Sequence, residues 1–137
     1  MPYLILIIYL AVAFALQFLT GNIPFSFLAF PLNLILALIW ASIMVSVWKM
    51  RRKSLFVEFM LSKGATVSSI VLFLGFSLAI GISGQRELVS TWIFAAALLY
   101  FQTVLLFVIL RGWRAQTATG ARIGAVRWRF VLNHVGI

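Results

Sequence analysis

Four apolar runs separated by short polar breaks make up most of the chain, at about Pro2 to Leu19, Phe27 to Trp48, Ala65 to Ser83 and Val89 to Leu110. Each is close to the roughly 20 residues that, at about 1.5 Å per residue, cross a hydrocarbon core of about 30 Å. Inside lipid the backbone must satisfy its own polar groups. Over such lengths helices do so, and the period-two alternation of a membrane barrel is missing from the sequence. The pattern predicts an all-α integral membrane protein with four transmembrane helices in an antiparallel bundle over residues 1–110.

The breaks carry turn and exit signals. Thr20-Gly-Asn-Ile-Pro-Phe25 holds two turn formers and a proline, which predicts a tight helical hairpin between spans one and two. Pro31 and Asn33 fall early in span two, as a first-turn or kinking proline and an Asn seeking an interhelical partner, with a ligand site as the rarer alternative. Trp48-Lys-Met-Arg-Arg-Lys53 is an aromatic followed by cations, the pattern of a helix leaving the bilayer. Ser54 to Lys63 puts Leu55, Phe56, Phe59 and Met60 on one stripe, which predicts a short cytoplasmic interfacial helix, or less commonly a partner-docking one. In span three, Gly75 and Ala79 have the small-xxx-small spacing that permits close helix approach, while Ser68, Ser69 and Ser77 can bond back to their own helix. Gln102 and Thr103, in the middle of span four, read as interhelical hydrogen bonds.

Composition agrees with the pattern. The chain is 64% hydrophobic and 9% charged, whereas soluble domains are about a quarter charged. The first run lacks a charged region before it and a small-residue cleavage pattern after it, so it reads as a span rather than a signal peptide. Eleven Lys and Arg against two acids, Glu58 and Glu87, give a net charge of +9. Five cations lie between spans two and three (Lys49, Arg51, Arg52, Lys53 and Lys63) and five follow span four (Arg111, Arg114, Arg122, Arg127 and Arg129). The loop between spans three and four holds Arg86, offset by Glu87, and the first loop holds none. Cations concentrate on the cytoplasmic side of membrane proteins, so both termini and the Lys49 to Lys63 loop are expected on the cytoplasmic side. The same cations attract anionic lipid, at about 1 kcal/mol each. No aromatic interleaving or motif argues for nucleic acid.

Residues 111–137 form a basic cytoplasmic tail. From Phe130 the sequence turns apolar again, Phe-Val-Leu-Asn-His-Val-Gly-Ile137, which reads either as an interfacial stub or as the first turns of a fifth helix in a split or longer protein. One histidine, two separated Glu, no Asp and no Cys exclude a carboxylate pair, a triad or a zinc site built from this chain alone. A self-contained enzyme is not expected. Haem iron takes its axial ligands singly, so His134 remains a candidate ligand beside the plainer reading of a neutral interfacial side chain.

The run Arg127-Trp-Arg-Phe-Val-Leu-Asn-His-Val-Gly-Ile137 resembles a segment of ResB-type proteins of System II cytochrome c biogenesis, in which basic residues precede an apolar helix of the form Asn-His-x-Gly. Forms that fuse ResB-like and CcsA-like parts are also similar at Ile23-Pro-Phe25, Pro31-Leu-Asn33, Trp40 and Ser90-Thr-Trp92. The resemblance implies a membrane component that moves haem outward for attachment to apocytochromes c, with His134 matching an intramembrane haem ligand. It also implies a CcsA-like partner or the remaining part of a longer chain. The tryptophan-rich haem segment and the large extracytoplasmic domain of that pathway have no counterpart in these residues, so the synthase reaction is not expected of this chain alone. The alternative is a cofactor-free multipass anchor or accessory subunit. A small transporter is disfavoured, because no paired ionisable residues lie within the spans.

Overall fold

The computed structural model describes residues 2–50 and 54–118, and among them every regular element is helical. Helix α1, Pro2–Thr20, ends on Gly21 at φ +71°, whose N–H donates to the Gln17 carbonyl at 3.1 Å. A single turn, α2 (Phe25–Leu28), follows Pro24. Helix α3 is Leu32–Met50. The apolar run expected to span from Phe27 therefore divides, with its long helix beginning after Pro31. The break falls at Ala29, which is extended and caps α2 two residues before the proline. Asn33 is exposed, and its side-chain oxygen accepts from the Leu34 N–H at 2.7 Å rather than from another helix.

Two serines then start two helices. Ser54 Oγ accepts from Val57 N–H at the head of α4 (Leu55–Met60), and Ser62 Oγ accepts from Ala65 N–H at the head of α5 (Lys63–Ser83). Helix α5 closes on Gly84 at φ +66°, a left-handed cap that glycine adopts without penalty. A 3-10 turn at Arg86–Ser90 leads into α6, Trp92–Ala118.

Four of these helices are long and apolar enough to cross a membrane: Tyr3–Thr20, Leu32–Met50, Lys63–Ser83 and Trp92–Gly112. Helix α6 is the axis of the bundle. A third of its span is buried, against 11% for each of the other three. It packs mainly on α5 and α1, and also on α3 and α4. Its inward side carries Ala96, Ala97, Tyr100, Thr103, Val104 and Phe107, which recur at helical spacing. Helix α3 adheres by one edge, where Trp40, Met44 and Trp48 recur every four residues, while Leu34, Leu36 and Leu38 stay exposed.

The short helix α4 is present where the pattern places it, but with a different face inward. Val57 is completely buried and Phe59 and Met60 nearly so, whereas Leu55 is 79% exposed. A single stripe suits one flat surface, and α4 instead meets α1, α5 and α6 together. The small pair in α5 also departs from expectation. Gly75 and Ala79 are exposed, and a Cβ added at Gly75 would meet nothing within 4 Å.

Candidate functional site

The polar side chains inside the bundle form a series of helix-to-helix joints. Near the middle, the Trp40 indole N–H on α3 donates to Thr103 Oγ1 on α6 at 3.0 Å, and Thr103 donates onward to the Leu99 carbonyl at 2.6 Å. Tyr9 on α1 donates to the Ala96 carbonyl at 2.9 Å, within reach because the side chain at 96 is small. Tyr100 on α6 donates to the Ala65 carbonyl at 3.2 Å, and its hydroxyl lies 2.9 Å from Ser68 Oγ. Ser69, almost wholly buried, bonds back to the Thr66 carbonyl. Each of these groups has a partner, as a low-dielectric interior requires. They are suited to fixing helix positions, since none is left to bind or react.

A second set of bonds closes the end of the bundle formed by Thr20 and Trp92. Gln17 accepts from the Trp92 backbone N–H at 2.8 Å and donates to Asn22 at 2.7 Å. The Trp92 indole donates to Thr20 Oγ1 at 2.7 Å, and the Ile23 N–H donates to the Ser90 carbonyl at 2.7 Å. Two of the stretches that carry the resemblance, Ile23-Pro-Phe25 and Ser90-Thr-Trp92, are thus joined directly. Pro31 precedes α3, and Trp40 makes the bond to Thr103. These residues act at joints of the fold.

The opposite end holds the described cations other than Arg86. Lys49 at the end of α3, Lys63 at the start of α5 and Arg111 late in α6 are all exposed. Arg114 lies within α6. Arg51, Arg52, Lys53, Arg122, Arg127, Arg129 and His134 lie outside the described residues. The same end holds an aromatic and apolar cluster, in which Phe107 meets Trp48 and Phe56 at ring-centroid distances of 5.7 and 6.1 Å and Tyr3 meets Phe59 at 6.2 Å.

Among the described residues no three His, Cys, Asp or Glu side chains converge on one point. Nor do these residues fit a haem. Met44, Met60 and Tyr100, side chains of ligating type inside the bundle, are buried in the packed cluster, and Tyr9 is packed against it with its hydroxyl bonded to the Ala96 carbonyl. Along α3 runs an open groove lined by Ser42, Ile43, Ser46, Val47 and Met50.

Sequence reasoning placed Thr103 in a hydrogen bond between helices, and it is in one. It did not single out Tyr9, Gln17 or Tyr100, for which the available signal was a hydrogen-bonding side chain inside an apolar run. No protein-family model, no curated protein and no solved structure matches this chain.

Proposed function

We propose that this chain is a multipass membrane component of cytochrome c maturation, ResB-like, in which the four-helix bundle is a scaffold and the segment following it handles haem as cargo. The observation that carries the reading is the resemblance of residues 127–137, with His134 as the candidate axial ligand. The fold supports it in one respect. An even number of spans returns the chain, after α6, to the end that carries Lys49 and Lys63, so a helix beginning near Phe130 would enter the bilayer from that side. We take this end to face the cytoplasm of a bacterial inner membrane, because exposed Lys and Arg concentrate there. The chain works with a CcsA-like protein, or with further sequence of that kind, and serves apocytochrome c indirectly. It is not a self-contained enzyme.

A second reading is a cofactor-free anchor or accessory subunit. It is favoured by the use to which the interior polar groups are put, since Trp40, Thr103, Tyr9 and Tyr100 all tie helices together. One experiment separates the two. Protein purified in detergent from haem-replete cells should show a Soret band that His134→Ala removes. A chain without that band, or a band that His134→Ala leaves unchanged, overturns the assignment of haem to His134. The first of these outcomes favours the accessory subunit.

A further inference from the structure

Gln102 stands apart from every other Ser, Thr, Asn and Gln of the four spans. Gln17, Thr20, Asn33, Ser42, Ser46, Thr66, Ser68, Ser69, Ser77, Ser83 and Thr103 each make a side-chain hydrogen bond. Gln102 makes none among the described residues and is exposed. It is also the worst-placed residue for exposure to lipid. In the span Trp92–Gly112 it lies about 15 Å from either end, at the middle of the hydrocarbon, where water cannot reach an amide. An unsatisfied amide there costs several kcal/mol.

The residues around it form a pattern. Ala95, Leu98, Gln102, Leu105 and Ile109 succeed one another at alternating intervals of three and four, the spacing of the seam in a left-handed helix pair. At about 100° per residue this stripe lies roughly opposite the buried side formed by Ala96, Tyr100, Thr103 and Phe107. The apolar members of the stripe are only partly buried. Helix α6 therefore carries two seams, one buried within the chain and one, centred on the exposed Gln102, that is only partly covered.

We infer that this second seam binds the same seam of a second copy, giving a parallel dimer about a twofold axis along the membrane normal. The amide chemistry selects this occupant. A carboxamide both donates and accepts, so two Gln102 side chains facing each other across the axis satisfy one another with no other residue type. Copies in one membrane share an orientation, which puts the two amides at equal depth. A single polar residue within an apolar seam also sets the register of the pair. Dimerisation of this kind is independent of any haem cargo.

The chain has no cysteine, which makes the test direct. Leu98→Cys and Leu105→Cys, each introduced singly with Gln102 intact, should form disulfide-linked dimers on oxidation in native membranes. Val71→Cys on the exposed side of α5 should give only collisional background. Adding Gln102→Leu, which makes the helix more apolar and so preserves insertion, should reduce the crosslinked fraction on the order of tenfold. Gln102→Asn should retain most of it, because the amide is kept. Crosslinking at Leu98 or Leu105 no greater than at Val71, indifference to Gln102→Leu, or an adduct with the mass of a different protein would overturn the dimer.

Discussion

The indole N–H of Trp40 donates to Thr103 Oγ1 across the α3–α6 contact at 3.0 Å, and this is the polar tie of a helix that otherwise adheres by one edge. Its two ends are not equivalent. Trp40→Phe leaves Thr103 with its bond to the Leu99 carbonyl, and should cost about 1 kcal/mol beyond the smaller ring's lost packing. Thr103→Val keeps the volume but strands the indole donor inside the bundle, and should cost about 1–3 kcal/mol. The double variant should cost less than the sum of the singles. Unfolding in mixed micelles at graded denaturing detergent measures all three, and strict additivity would remove the bond from the stabilising set.

Phe107 is completely buried, with Trp48 and Phe56 against its ring. Phe107→Ala should be among the most damaging single truncations in the described residues, at about 3–5 kcal/mol. Leu78→Ala, at a side chain 64% exposed on α5, should change stability by less than about 0.5 kcal/mol. Equal effects in the same unfolding assay would mean that the packed end around Phe107 is not the stabilising core.

Gln17 joins α1 to the start of α6 by accepting from the Trp92 N–H. In Gln17→Leu that N–H and Asn22 lose their partner, and about 1 kcal/mol of local stability goes with them. Hydrogen exchange at the Ile23 amide, which donates to the Ser90 carbonyl, should accelerate while amides around Tyr100 keep their protection. Uniform acceleration across both regions would show that the joint is part of the global unfolding unit.

Two glycines near the end of α5 should respond with opposite signs. Gly84 has φ +66°, where a Cβ is strained, so Gly84→Ala should destabilise by about 1–2 kcal/mol. Gly81 is helical, and a Cβ there meets nothing within 4 Å, so Gly81→Ala should stabilise by about 0.5–1 kcal/mol. Thermal aggregation midpoints in detergent give the two signs, and a loss at Gly81 would show that its open side is occupied in the membrane.

The proposed orientation makes a prediction of its own. A membrane-impermeant thiol reagent added to intact cells should label Arg86→Cys and spare Ser54→Cys until the cells are opened, since the two positions lie at opposite ends of the bundle. Labelling of Ser54→Cys alone in intact cells would reverse the topology.

Much of this fold was legible in the linear pattern. Hydrocarbon thickness dictates how long an apolar run must be, and a backbone without water dictates that it be helical. Those two constraints were enough to count and order the long helices. The glycine after α5, the serine at 54 and the proline at 31 act locally, so helix ends are largely readable too. Residue 31 shows the limit, because its proline was readable as a first-turn residue or as a kink, and only the structure puts it at the head of α3, where its carbonyl accepts from the Ile35 N–H.

What the run of residues could not express was direction around each helix. In a soluble bundle the apolar side of a helix marks the core, but in lipid every side is apolar and the mark is erased. Thr103 and Gln102 are neighbours in sequence and were read alike. The packing of α3 on α6 turned Thr103 toward Trp40 and, about 100° further round, left Gln102 facing out. By the same logic α4 buried Val57 in place of Leu55, and Gly75 with Ala79 stayed open. The sequence by itself determined how many helices cross and where the cations gather. Only the tertiary structure decided which polar groups meet one another, and that Gln102 meets none of them among the described residues.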